Sequence, residues 1–263
     1  MSLPGLRSDA GQGRAFLLLH GWALDGAQWT PQCAALATQG RVVCLDRPGF
    51  GEAPGRAGVD ADEAAIGAAI DALQLGPVVL VASSQAARGA LRFALRQPAR
   101  LAGLVLDGAP LEGFLPPPWP ADAAPVDRLA ELLAREGLQA VRQALAALPF
   151  FHLQRPAAAE SALLATMLGR YSARDLTQPG PVTALPMPER LAQLAVPTLV
   201  INGEHDSPHR RLVGDALAYG LPQAQRLLLR GAGHLPNLDQ PAAYAAALLA
   251  FAAGLPAHTE NPA

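Results

Sequence analysis

Six short apolar runs, each bounded by Gly, Pro or Asp, recur along the chain: Ala15 to Leu19, Arg41 to Leu45, Val78 to Val81, Leu101 to Leu106, Thr198 to Ile201 and Arg226 to Leu229. Runs this short and this continuously apolar read as strands buried on both faces. Between most of them lie Ala- and Leu-rich stretches with helical spacing: Ala61 to Leu73, Ala86 to Arg96, Arg211 to Ala218 and Pro241 to Ala253. Strands buried on both faces that alternate with helices require a mostly parallel sheet covered by helices on each side, so the fold class is α/β. A chain of 263 residues, 51% of them hydrophobic, suffices for one large domain or one domain with an insertion.

The rhythm breaks between Phe114 and Arg190, where no convincing strand occurs and 11 of the 25 prolines fall. Proline clusters mark its edges, and Asp127 to Leu148 and Ala157 to Arg170 carry helical patterns. The expected organisation is a core of residues 1–113 and 191–263 with a helical cap, or lid, at 114–190. Seven Arg offset seven Asp or Glu in that cap, so its charge points to no acidic partner.

Charge excludes several functions. With 20 basic and 22 acidic residues the net charge is -2, which supplies no field to gather nucleic acid or anionic lipid. All the basic residues are Arg, a compositional bias from which no mechanism follows. Cys33 and Cys44 have no metal-ligand spacing and are too few for a disulfide scaffold, so free thiols in a reducing compartment are expected. No apolar run approaches the ~18 residues of a membrane span, and Met1 to Arg14 lack a signal-like apolar region. A soluble, cytoplasmic protein without metal or cofactor is the expectation; oligomeric state stays open.

The most chemically specific segment is Val78-Val-Leu-Val-Ala-Ser-Ser-Gln-Ala-Ala-Arg88. An apolar strand runs through small residues into an Ala-rich helix, the form of a nucleophile elbow, where close backbone demands small side chains two residues before and two after the serine. Ser84 meets that demand with Ala82 and Ala86; Ser83 would place Val81 and Gln85 there. Ser84 is therefore the candidate nucleophile, with alanines where G-x-S-x-G has glycines. The plainer reading of Ser84 is a helix N-cap.

Three further strand ends carry polar groups, where α/β sheets build their sites. Leu17-Leu-Leu-His-Gly-Trp22 opens a loop whose Trp22 N–H, with the Gln85 N–H, would form an oxyanion hole. His20 reads as a buried structural histidine. Pro197-Thr-Leu-Val-Ile-Asn-Gly-Glu-His-Asp206 supplies an acid, with Glu204 and Asp107 as rivals to Asp206, and Leu229-Arg-Gly-Ala-Gly-His234 supplies a base. The order Ser84, Asp206, His234 suits a triad in which His234 is the general base and Asp206 holds its tautomer. His205 and His209 read as solvated loop residues, His152 as a lining or packing residue and Arg88 as a partner in a structural ion pair.

Together with Asp46-Arg-Pro-Gly-Phe-Gly51 and Gly233-His-Leu-Pro-Asn-Leu-Asp-Gln-Pro241, these motifs resemble the α/β-hydrolase superfamily over nearly all of the chain outside the cap. The compact cap and the H-G-W start look like the carboxylesterases that cleave pimeloyl-carrier-protein methyl ester; the segment from His234 to Pro241 is similar to 3-oxoadipate enol-lactonases. The resemblance implies a serine esterase that works through an acyl-enzyme on a small-molecule ester or lactone, without cofactor. Thioester or C–C bond hydrolysis on the same triad, or a non-catalytic ligand-binding member of the fold, are the alternatives. Ser83, Ala82 and Ala86 depart from the family's usual residues around the nucleophile. Trp22, Trp119, Phe150, Phe151, Met167 and Tyr171 are candidates for an apolar acyl pocket, and each could equally serve core packing.

Overall fold

A computed structural model describes residues 3–114, 124–181 and 183–256. Its centre is a seven-stranded sheet in the order β1-β3-β2-β4-β5-β6-β7, made of β1 (Leu6–Ala10), β2 (Ala15–Leu19), β3 (Arg41–Leu45), β4 (Val78–Ser83), β5 (Leu101–Asp107), β6 (Thr198–Gly203) and β7 (Ala224–Leu229). All pairings are parallel except that of β1 with β3. The edge strand β1 was not expected. Its sequence, LRSDA, has no apolar run because almost all of it faces solvent and only its backbone is committed to the sheet.

Alternation along the central strands divides the core into two layers. Leu17, Leu19, Leu80, Ala82, Leu104 and Leu106 face one side and pack with Ile66, Leu91, Phe93 and Leu217. Those partners lie on α2 (Val59–Ala72), α3 (Ala86–Arg96) and α7 (Pro208–Gly220). Phe16, Leu18, Val79, Val81 and Val105 face the other side and pack with Trp29, Leu36, Tyr244 and Phe251. That layer is formed by α1 (Thr30–Ala37) and α9 (Pro241–Ala253), which follows the single turn α8 (Pro236–Asp239). The sheet therefore has helices on both faces, as the near-continuous apolar strands require.

Between β5 and β6 the described residues form α4 (Val126–Ala146), α5 (Ala158–Arg170) and α6 (Arg174–Thr177), with no strand among them. Gly137, at φ 81°, breaks α4 into two segments. Val141, Leu145, Met167 and Tyr171 of this stretch join Trp22, Phe50 and Leu235 in a third apolar cluster above the sheet. Polar ties reinforce it: Arg170 pairs with Asp25 at 2.8 Å, and Arg174 donates to the carbonyls of Gly51 and Ala53 at 2.9 and 3.0 Å.

Candidate active site

The strand order turns at the neighbouring strands β2 and β4, and polar residues gather beyond the carboxyl ends of the strands there, the usual crevice of an open α/β sheet. Ser84 occupies the turn between β4 and α3 with φ 49°, a left-handed conformation costly for a non-glycine residue. Its own N–H donates to the Asp107 carbonyl at 2.7 Å, tying the turn to β5. Ala82 and Ala86 are fully buried, so small side chains do stand at both crowded positions.

Ser84 Oγ lies 3.0 Å from His234 Nε2, and His234 Nδ1 lies 3.0 Å from Asp206 Oδ1. A carboxylate only accepts, so Nδ1 carries the proton and Nε2 is left to accept from Ser84. Asp206 Oδ1 also accepts from the Ser207 N–H, and Oδ2 accepts from Asn202 Nδ2, each at 2.9 Å. Burial by itself would raise the Asp206 carboxyl, but attraction to His234 in its protonated form and the hydrogen bonds from His234, Asn202 and Ser207 hold it below the ordinary value. The acid and histidine loops meet because β6 ends in glycine: a Cβ on Gly203 would stand 2.1 Å from the Gly233 carbonyl. Gly108 is equally confined, at φ 52° with a would-be Cβ 2.8 Å from His234 Cε1.

The other acid candidates are engaged elsewhere. Asp107 accepts from Ser83 Oγ at 2.8 Å and from Tyr244 OH at 2.5 Å; burial pushes its carboxyl up to about 6. Glu204 is exposed and accepts from the Gly231 N–H at 3.0 Å. His20 is buried: its Nδ1 donates to the Gly21 carbonyl at 2.7 Å and its Nε2 accepts the Arg47 N–H at 2.9 Å. Burial, with the Arg47 charge beside it, lowers His20 to about 3 and keeps the ring neutral. His205 sits in the exposed loop, whereas His209 lies in the first turn of α7 rather than in a loop, because Ser207 caps that helix earlier than its apolar spacing suggests. His152 is exposed and not packed. Arg88, on α3, stands 3.9 Å from Glu112, forming an ion pair.

The two candidate oxyanion donors flank the serine. Gln85 follows it directly, and its side chain is drawn aside by Arg47, which donates to Gln85 Oε1 at 3.1 Å and pairs with Asp62 at 2.6 Å. Across the crevice, a Cβ on Gly21 would lie 3.6 Å from Ser84 Cβ, so the loop that carries Trp22 lies against Ser84. Among the described residues neither the Gln85 nor the Trp22 N–H donates to another backbone group.

Of the pocket candidates, Phe150 approaches His234, with the ring centroids 5.5 Å apart. Phe151 stacks on Trp22 at 6.4 Å, and Tyr171 meets Trp22 edge-on at 6.5 Å. Trp22 Nε1 and Tyr171 OH both donate to Asp175, at 2.9 and 2.7 Å, so these rings are fixed as a unit. Met167 is buried within the third cluster; Trp119 lies outside the described residues. Asn202, Gln28 and Tyr244 are buried polar residues at the site that sequence reasoning did not single out. The available signal was a lone polar residue in each of three otherwise apolar or loop segments. Among the described residues no group of three or more His, Cys, Asp or Glu could hold a metal, and no helix is long and apolar enough to cross a membrane.

Residues 16–247 match the sequence profile of the Alpha/beta hydrolase family. The pimeloyl-[acyl-carrier protein] methyl ester esterase of Aeromonas salmonicida is 28% identical over 246 residues, covering 88% of this chain and 92% of that one. The 2-hydroxy-6-oxo-6-phenylhexa-2,4-dienoate hydrolase of Burkholderia cepacia is 27% identical over 271 residues, covering 94% and 90%. Among solved structures, the malate-bound thermophilic esterase from Thermogutta terrifontis superposes with a TM-score of 0.74 at 25% identity, covering 93% of this chain and 91% of that one.

Proposed function

Because this chain belongs to the alpha/beta hydrolase family, we propose that it is a serine hydrolase that cleaves a carboxylic ester through an acyl-enzyme. The observation that carries the reading is the continuous chain from Ser84 Oγ through His234 to Asp206, two contacts of 3.0 Å that join three separate strand ends. Ser84 attacks the acyl carbon while His234 Nε2 takes its proton, and Asp206 stabilises the imidazolium. The N–H groups of Gln85 and Trp22 receive the charge that develops on the carbonyl oxygen, helped by the positive end of α3. Collapse expels the alcohol, protonated by His234; water then repeats the sequence and releases the carboxylic acid.

Residues 114–190 act in this reading as a cap over the core, and Trp22, Phe150 and Phe151 form the apolar wall that receives the acyl chain. The ester is chosen over a C–C bond because two of the three similar proteins above are named esterases. The test is turnover of p-nitrophenyl butyrate by the wild type, Ser84→Ala and His234→Ala, with folding followed by circular dichroism. Each variant should lose at least about 10³-fold while it stays folded. Full activity in either would overturn the assignment.

A further inference from the structure

We propose that Gln28 is a positioning residue that locks the oxyanion loop to the strand carrying the nucleophile. The assignment rests on the hydrolase reading above and extends it to a residue that touches no substrate. Gln28 is fully buried in the short 3-10 turn Gly26–Trp29, directly ahead of α1.

Its hydrogen bonds can run in one direction only. The Gly21 N–H donates to Gln28 Oε1 at 2.8 Å, which fixes the orientation of the amide. Both Nε2 hydrogens are then committed, to Ser83 Oγ at 3.1 Å and to Asn237 Oδ1 at 3.2 Å. Ser83, having accepted from Gln28, sends its own hydrogen to Asp107 Oδ1 at 2.8 Å. Asn237 Nδ2 in turn donates to the Gln28 carbonyl at 2.9 Å. Reversing the Gln28 amide would set its nitrogen against the Gly21 N–H and leave Ser83 and Asn237 without a donor, a costly outcome in the interior.

The consequence falls on Gly21, whose backbone is otherwise the freest in the loop. Gln28 pins the peptide plane ahead of Gly21 through its N–H. His20 pins the plane after it, because Nδ1 donates to the Gly21 carbonyl at 2.7 Å. That second plane also holds the Trp22 N–H, since a carbonyl and the N–H that follows it share one rigid unit. With both planes held, the direction of the Trp22 donor is set before substrate arrives. Gln28 anchors it to Ser83, the residue adjacent to the nucleophile.

The test replaces the amide by an apolar group of similar length, Gln28→Met, and compares two quantities with wild type: kcat/KM for p-nitrophenyl butyrate and the Ki of butylboronic acid, which forms a tetrahedral adduct on the serine. Misaligned transition-state donors should lower kcat/KM and raise Ki by a common factor of about 10- to 100-fold. Ser83→Ala, which removes the acceptor of one Nε2 hydrogen, should shift both in the same direction, and it carries the comparison if Gln28→Met does not fold. Unchanged kinetics in a folded variant would overturn the proposal. So would a lower kcat/KM with an unchanged Ki, which marks a merely structural role. A wild type that neither turns over the ester nor binds the boronic acid would instead overturn the hydrolase reading itself, and this proposal with it.

Discussion

Replacing Asp206 by asparagine separates two things the carboxylate does for His234: holding its tautomer and supplying a charge. The new amide must point its nitrogen one of two ways. At the Oδ1 position it would face two donors, His234 Nδ1 at 3.0 Å and the Ser207 N–H at 2.9 Å. At the Oδ2 position it would face one, Asn202 Nδ2 at 2.9 Å. Asn202 can reverse its own amide to accept there, since its buried Oδ1 has no hydrogen-bond partner among the described residues; the reversal gives up a weak bond to the Arg210 carbonyl at 3.3 Å. The second arrangement is therefore favoured. It keeps the oxygen on His234 Nδ1–H and leaves Nε2 free to act as base.

What Asp206→Asn loses is the attraction between carboxylate and imidazolium, about 3 to 4 kcal/mol for a close pair at an effective dielectric near 20. That corresponds to a fall in kcat/KM of about 10²- to 10³-fold, against about 10⁴-fold for a reversed tautomer. The assay is kcat/KM for p-nitrophenyl butyrate, together with the proton NMR signal of His234 Nδ1–H, which should persist. A loss of 10⁴-fold or more with that signal gone would refute the reasoning about amide orientation.

Three other perturbations follow from single contacts. Folded Asp107 keeps its proton up to about 6, whereas an ordinary aspartic acid releases it near 3.8, so between those values the folded state holds more protons and stability falls as pH rises. Urea melts at pH ~4 and ~7 should show wild type losing about 3 kcal/mol more than Asp107→Asn across that range; parallel pH dependences would contradict this. Gly108→Ala puts a methyl group 2.8 Å from His234 Cε1 at φ 52°, and should cost about 1 to 2 kcal/mol in a thermal melt and lower kcat/KM at least about tenfold; unchanged turnover would show that the ring tolerates displacement. Cys33 and Cys44 stand 3.6 Å apart, and their shared hydrogen bond lowers the half-buried Cys33 thiol to about 7 while it raises that of buried Cys44. Iodoacetamide should therefore alkylate Cys33 well ahead of Cys44, and the reverse order by peptide mapping would contradict the assignment.

Strands such as Ala15–Leu19 and Arg41–Leu45 were legible to the residue, since burial on both faces demands unbroken apolar runs and polar or glycine residues end them. Elements whose stability comes from elsewhere were not. β1 is held by backbone pairing to β3 at a solvent-facing edge, and α1 has no strong apolar stripe to announce it. The Ser84, Asp206 and His234 contacts were foreseeable because each residue follows a strand at a tight turn, where chemistry and backbone demand a few residue types. Gln28, Asn202 and Tyr244 were not, because a buried polar side chain is explained only by partners distant in sequence, as when Tyr244 reaches Asp107 from α9. Ser83 shows both sides. The bulk of its flanking Val81 and Gln85 weighed against it as the candidate nucleophile, yet only the structure reveals the buried bonds that occupy it.

Covalent labelling asks whether Ser84 is an activated nucleophile without reference to any substrate. Wild type and Ser84→Ala would be treated with a fluorophosphonate, weighed intact and mapped by peptide mass spectrometry. A single adduct is expected on the peptide that carries Ser84, and none in the alanine variant. An adduct that persists in Ser84→Ala, or no adduct on a well-folded wild type, would contradict that role for Ser84.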